Sequence, residues 1–183
     1  MDIPRILGIC GSLRSGSYNR RLLEAATEAL PDADWRVARI RGIPPYDADI
    51  EARGLPPAVD RLKTEIADAD AIVIATPEYN HSIPGVLKNA LDWASRPAMR
   101  SPFVGKPVLM LAASTGSGGG RRALDHLRQV LESMLASPLE TEVAVARARD
   151  RFTDGWPDAD LEDELRDALA RVPVSLREPA ATR

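Results

Sequence analysis

Between positions 11 and 19 the chain reads Gly-Ser-Leu-Arg-Ser-Gly-Ser-Tyr-Asn, which gathers the hydroxyls of Ser12, Ser15 and Ser17, the Arg14 guanidinium and the Asn19 carboxamide into one short segment. Gly11 and Gly16 allow the backbone to approach a ligand closely. A helix starting near Ser17 would add free amides and the positive end of its dipole. That combination suits a phosphate dianion, with each charge-assisted bond contributing about 1.5–3 kcal/mol. The segment lacks the Gly-Lys-Ser/Thr ending of a nucleotide P-loop and is not a Gly-x-Gly-x-x-Gly fingerprint. A plain capping turn would need fewer hydroxyls and no arginine.

A second polar segment, Pro77-Glu78-Tyr79-Asn80-His81-Ser82, follows the apolar run Ala71-Ile72-Val73-Ile74-Ala75 and precedes Pro84, which suits the first turn of a helix. Glu78, Tyr79 and Asn80 can edge a flat ring through main-chain amides and side-chain hydrogen bonds. His81 reads as an exposed loop histidine rather than a proton donor, and His126 as a solvated residue on a charged helix. A third segment, Ser114-Thr115-Gly116-Ser117-Gly118-Gly119-Gly120, carries no bulky side chain and can lie against a planar ligand. No acid–base pair, activated nucleophile or metal-ligand set stands out, so no catalytic residue and no metal is expected. Cys10 reads as a small buried residue, and Trp93 as core or subunit interface.

These segments need elements to hold them. Apolar runs at Ile3–Cys10, Trp35–Ile40, Ala71–Thr76, Lys106–Ala113 and Thr141–Ala146 read as strands, the first without alternation and therefore buried on both faces. Helical stripes run through Leu22–Leu30, Val59–Ala69, Val86–Ala94, Ala123–Leu135 and Leu161–Val172. The proline-rich stretch from Gly42 to Pro57 reads as an irregular loop. Alternating strands and helices imply an α/β fold of three layers, a five-stranded parallel sheet with right-handed crossovers. The flavodoxin-like order 2-1-3-4-5 puts the switch point between strands one and three, where ligands bind beyond the strand carboxyl ends. The first two polar segments follow those two strands.

The 183 residues fit one domain, expected over 1–172, with a loose tail at 173–183. With 44% hydrophobic and 28% charged residues, the chain can bury a core and stay in solution. No apolar run is long enough for a transmembrane helix, and the N-terminus lacks a secretory layout, so no membrane partner is expected. One cysteine fits a reducing cytoplasm. A net charge of −3 argues against a nucleic-acid partner.

The segment from Gly11 to Leu22 resembles the FMN-phosphate loop of the NAD(P)H-dependent FMN reductase family, which includes chromate, quinone and azo-dye reductases. The run from Pro77 to Trp93 resembles that family's second motif, and the resemblance extends from Ile3 to about Val172. It implies a flavodoxin-like fold, bound FMN, NADPH or NADH as co-substrate, and a homodimer or homotetramer. It also implies that Ser12, Arg14, Ser17 and Asn19, with Tyr18 in the same loop, hold the FMN phosphate. Pro77, Glu78, Tyr79 and Asn80 would line the isoalloxazine, and Ser82 would lie on the nicotinamide side. Ser114, Thr115 and Gly116 would form a third flavin contact, although Thr115–Gly120 is a looser match to the family's glycine-rich loop. Arg96, Arg121 and Arg122 are options for a 2′-phosphate.

The activity implied is transfer of a hydride from NAD(P)H to FMN N5, then of electrons to a flavin, quinone, azo or metal-oxyanion acceptor. The cofactor carries the redox chemistry, in keeping with the lack of a catalytic side chain. The alternative is a flavodoxin-type FMN electron carrier without direct NAD(P)H oxidation. Such carriers have a Ser/Thr-rich phosphate loop without the arginine, and stronger negative charge. A flavin-responsive regulatory protein is a third reading that no residue favours.

Overall fold

The computed structural model describes residues 3–172; the tail expected at 173–183 lies outside the described residues. Five parallel strands form the sheet: β1 (Arg5–Cys10), β2 (Asp34–Ala38), β3 (Ala71–Thr76), β4 (Pro107–Ala113) and β5 (Ser137–Val145). Their order is β2-β1-β3-β4-β5, as expected for a flavodoxin-like sheet. All six residues of β3 are buried, which is why a continuous apolar run, not an alternating one, encodes this central strand.

Helices α1 (Tyr18–Ala29), α2 (Ala48–Arg53), α3 (Pro57–Asp68), α4 (Gly85–Ala94), α5 (Arg121–Ser133), α6 (Ala148–Arg151) and α7 (Ala159–Leu169) connect and cover the strands. Successive strand residues point to opposite faces. Ile72, Ile74, Val108 and Met110 therefore join Leu62, Leu87 and Leu127 in one core beneath α3, α4 and α5. Val73, Leu109 and Leu111 join Leu22, Leu23 and Leu165 in a second core beneath α1 and α7. Each fully buried Leu or Ile contributes about 1.5–3 kcal/mol.

Some boundaries differ from expectation. The proline-rich stretch contains α2, capped by Asp47, whose carboxylate accepts the Asp49 amide at 2.8 Å, and held by Tyr46 Oη donating to Glu51 at 2.8 Å. Because α2 buries no residue, it leaves no apolar stripe in the sequence. The edge strand β2 stops at Ala38, two residues early, and β5 begins at Ser137 across a register irregularity opposite Val108–Met110. A small hairpin of β6 (Phe152–Thr153) and β7 (Trp156–Pro157) precedes α7.

Asp158 caps α7 by accepting the Leu161 amide at 2.8 Å, and accepts two bonds from the Arg151 guanidinium at 2.6 and 3.0 Å. The Arg151 hydrogen bonds hold its carboxyl below the usual aspartate range, against a smaller opposing effect of burial. A depressed folded value stabilises the fold above the unfolded pKa of about 3.9 and loses that contribution as pH falls through the folded value. Asp158→Ala should cost about 1 kcal/mol at neutral pH through the lost cap. Asp158→Asn should lie between the two, and its deficit in urea unfolding should shrink below pH 4. A deficit that is constant between pH 7 and 3 would show that the ion pair contributes nothing.

Candidate functional site

The carboxyl ends of β1, β3 and β4 open into the three polar segments, which share one rim of the sheet. Gly11 extends the β1–β3 pairing, its amide donating to Ala75 O at 2.8 Å. A Cβ there would lie 2.9 Å from Thr76 Oγ1 and 3.1 Å from Leu87 Cδ2, so only glycine lets the first loop pass this close to the third strand.

Ser12 and Ser17 are buried, although both lie on the loop. Ser12 Oγ accepts the Arg14 amide at 3.4 Å. Ser17 holds the N-cap position of α1 without using its hydroxyl as a cap, leaving that oxygen on the loop side of a helix opening. Arg14 is exposed, packs beside Gly16 and makes no ion pair among the described residues. Asn19 is buried and holds the loop from within: Nδ2 donates to Ala113 O and Oδ1 accepts Ala113 N, both at 2.8 Å. One amide hydrogen of Asn19 remains for another partner. Tyr18 turns toward the core beneath α1, 5.3 Å from the Phe152 ring, with the Arg21 guanidinium 5.7 Å from its centroid.

The second segment forms a tight hairpin. Tyr79 and Ser82 exchange backbone bonds at 2.9 and 3.0 Å around Asn80 and His81, whose φ values are +49° and +64°. Positive φ at both central residues defines a type I′ turn, and asparagine tolerates that region well. Tyr79 is 53% exposed, so the hairpin carries an open aromatic side chain. Pro84 sits at the N-cap and Gly85 opens α4, one residue later than the expected first turn.

Helix α5 reaches this hairpin, which sequence reasoning missed. Ser82 Oγ lies 2.7 Å from His126 Nδ1, so His126 is exposed but partnered, not simply solvated. Arg122 donates to His81 Nδ1 at 2.6 Å. Guanidinium has no acceptor, so that nitrogen is unprotonated and cannot also donate to Glu78 Oε1, 3.3 Å away. Glu78 instead forms an ion pair with Arg122 at 3.8 Å. Arg121 and Arg122 thus stand at the rim, whereas Arg96 follows the far end of α4 and pairs with Glu51 at 3.5 Å, away from the three loops.

The third segment is pinned rather than loose. Ser114 Oγ accepts the Gly116 amide at 3.1 Å, and Gly116 O accepts the Arg147 amide at 2.9 Å, so the Gly116 backbone is already bonded. Thr115 is exposed. Gly120, with φ +82°, opens α5, and a Cβ there would stand 2.8 Å from Ala112 Cβ. Its lack of a side chain serves the approach of α5 to β4, not a ligand.

Trp93 is fully buried and donates to Pro44 O at 2.8 Å, and so belongs to the core. Burial pushes the Cys10 thiol above its ordinary value, which makes it a poor nucleophile. No cluster of three metal-ligating side chains occurs among the described residues. The rim can bind, orient and exclude water, and the buried hydroxyls, the α1 opening and the unpaired Arg14 fit a phosphate end.

Asn19→Ala should leave the Ala113 amide and carbonyl buried without partners, at about 1–3 kcal/mol for each group left unsatisfied. Asn19→Asp should do no better, since a carboxylate would face the Ala113 carbonyl. Thermal unfolding followed by circular dichroism checks both; unchanged midpoints would show that the clamp is dispensable.

Comparison with known proteins agrees with this geometry. Residues 4–150 match the model of the family described as NADPH-dependent FMN reductase. The chain is 47% identical over 172 residues to an NAD(P)H-dependent FMN reductase of Pseudomonas aeruginosa, covering 93% of this chain and 89% of that one. It is 44% identical over 131 residues to a quinone reductase of Escherichia coli K12, covering 69% of each. Among solved structures it resembles FerB, a flavoenzyme NAD(P)H:acceptor oxidoreductase from Paracoccus denitrificans. That match has a TM-score of 0.82 and 28% identity, covering 93% of this chain and 99% of that one. Strand order, loop chemistry and sequence identity agree: the chain belongs to the NADPH-dependent FMN reductase family.

Proposed function

We propose that residues 1–172 act as one FMN-binding domain whose rim brings NAD(P)H and then a small-molecule acceptor to the same flavin face. The acceptor is a quinone, flavin, azo compound or metal oxyanion. FMN and NAD(P)H are the cofactor and reductant of the family. When bound, FMN supplies a hydride acceptor at N5 and returns electrons to the acceptor. The side chains have the remaining tasks. Ser12, Ser17 and the α1 opening bind the phosphate from the buried side, with Arg14 closing over it from solvent. Tyr18 and Asn19 set the height of that loop. Pro77, Glu78, Tyr79 and Asn80 border the ring, with Ser114, Thr115 and Gly116 opposite. Ser82, held by His126, lies where the nicotinamide enters.

The observation that carries this reading is the pair of loops at the switch point, one rich in buried hydroxyls and the other a rigid hairpin with an exposed aromatic ring. A homodimer or homotetramer and a cytoplasmic location complete the proposal. The single cysteine supports the location, and no helix among the described residues is long and apolar enough to cross a membrane.

Protein reconstituted with FMN should show a flavin absorbance band that bleaches on anaerobic addition of NADPH or NADH and returns when a quinone is added. A bound flavin that neither nucleotide bleaches would make the protein an electron carrier, and no flavin binding at all would overturn the site.

Arg14→Ala should weaken FMN binding about tenfold or more, the equivalent of one charge-assisted bond. Titration of flavin fluorescence measures this, and unchanged affinity would remove Arg14 from the phosphate end.

A further inference from the structure

A second concavity lies on the other side of the first loop, toward the sheet edge. Three guanidiniums border it: Arg20 from the first turn of α1, and Arg39 and Arg41 from the segment after β2. Its volume is about 350 Å³, within the roughly 300–1,000 Å³ range of small-molecule sites. Val37 and Ile40 supply an apolar side. Strand order separates it from the flavin corner: the hairpin follows β3 and the glycine-rich loop follows β4, whereas this cavity lies over β1 and β2. The loop after β1 is the partition: Leu13 lines the cavity side, and Ser12, assigned above to the FMN phosphate, borders the cavity as well.

The electrostatics are unusual for a chain of net charge −3. No carboxylate lines the cavity, and neither Arg20 nor Arg39 makes an ion pair among the described residues. Glu24, one turn after Arg20, is sensed by the Cys10 thiol but forms no salt bridge with that arginine. Some arginines elsewhere are matched, Arg151 with Asp158, Arg128 with Glu142 and Arg96 with Glu51, whereas others, Arg14 among them, are not; what sets this group apart is that three of them border one cavity. Gathering three like charges around one concave surface is unfavourable until an anion enters. Arg41 is already held in place, donating to Leu13 O at 2.7 Å, which lowers the ordering cost on binding.

We propose that this cavity binds a phosphorylated small molecule, its phosphate or pyrophosphate held by Arg20, Arg39 and Arg41. Guanidinium forks match phosphate oxygens in pairs, and the Val37–Ile40 side receives an apolar or ring-bearing body. Two sources share this chemistry, a nucleotide and a free inorganic anion. The site is distinct from the one that holds FMN, and a ligand there does not reach the flavin ring.

The test is calorimetric titration of FMN-saturated protein with adenosine diphosphate and, separately, with inorganic pyrophosphate, at low and at physiological salt. Salt-sensitive binding of pyrophosphate, or of the nucleotide where it is lost in Arg39→Glu, supports the site, since the nucleotide alone could also enter where NAD(P)H binds. Tighter binding of the nucleotide identifies a ring-bearing ligand, and equal binding a free anion. Arg39→Glu should weaken binding at least tenfold while FMN affinity stays unchanged, because Arg39 is exposed and outside the flavin corner. Should that variant fail to fold, Arg20→Ala in the same titration replaces it, with the same expected loss. The proposal is overturned if neither probe binds FMN-saturated protein below millimolar concentration, or if binding survives Arg39→Glu. It is equally overturned if the probes bind only flavin-free protein, since the arginines would then belong to the FMN phosphate site.

Discussion

The clamp between Asn19 and Ala113 sets the geometry of the rim. Ala113 ends β4, and β4 is separated from β1 by β3, so the Asn19 carboxamide reaches from the opening of α1 across a whole strand. Its two bonds at 2.8 Å satisfy a backbone donor and acceptor that the sheet itself leaves open where β4 ends. Both groups are buried, so the alternative to this clamp is two unsatisfied polar atoms, not two hydrated ones. The height of the first loop above the sheet, and with it the place of Ser12 and Ser17, follows from this contact. Gly11 sets the lateral spacing, because a methyl group there would push the loop away from Thr76 and Leu87.

On the other side of the switch point, the hairpin at 79–82 is held by its own backbone and by α5. A type I′ turn has little freedom, and Arg122 and His126 tie the side chains of His81 and Ser82 to a helix whose opening is fixed by Gly120 against Ala112. The three loops therefore form one unit despite their distance in sequence. A rim built this way suits cofactor chemistry. Reaction at a bound flavin needs a ring edge held at a set distance from an incoming planar molecule, and no side chain has to gain or lose a proton at a tuned pKa.

The sheet was legible because parallel strands buried on both faces appear as unbroken apolar runs, as in Ala71–Thr76. Alternating strands and helices with right-handed crossovers left few topologies, and the order 2-1-3-4-5 came from the flavodoxin-like pattern among them. Edges were less legible: β2 is largely exposed, so nothing in its composition marks where pairing stops. Helix α2 was invisible because it buries nothing. In the site, the loop chemistry was readable from residue types, but the partners were not. Ser82 and His126 are 44 positions apart, His81 and Arg122 are 41 apart, and Asn19 and Ala113 are 94 apart. Such pairs follow from topology, which places the loops after β1, β3 and β4 on a common edge, and only side-chain geometry then selects them. The glycines show the converse. Gly119 and Gly120 look like slack in the sequence, yet both are buried and their missing side chains bring α5 against the sheet.

Mutual engagement of the rim's polar groups bears on how the protein achieves affinity. An unattached long side chain immobilised on binding costs about 0.5–1.5 kcal/mol. Here His81, Ser82, Glu78, Ser114 and Asn19 are ordered by contacts made on folding, so a cofactor meets surfaces that no longer have to be arranged. Arg14 is the exception, exposed and without an ion partner among the described residues, so any anion it meets must also order it. The same contrast appears across the first loop, where Arg41 is held by Leu13 O while Arg39 is not. The first loop thus presents a mostly preorganised face to β3, while on its β2 side Leu13 O meets guanidiniums that come from α1 and from the segment after β2. The two faces share the backbone of residues 11–17, so a ligand on either side would meet a segment that the other side also uses.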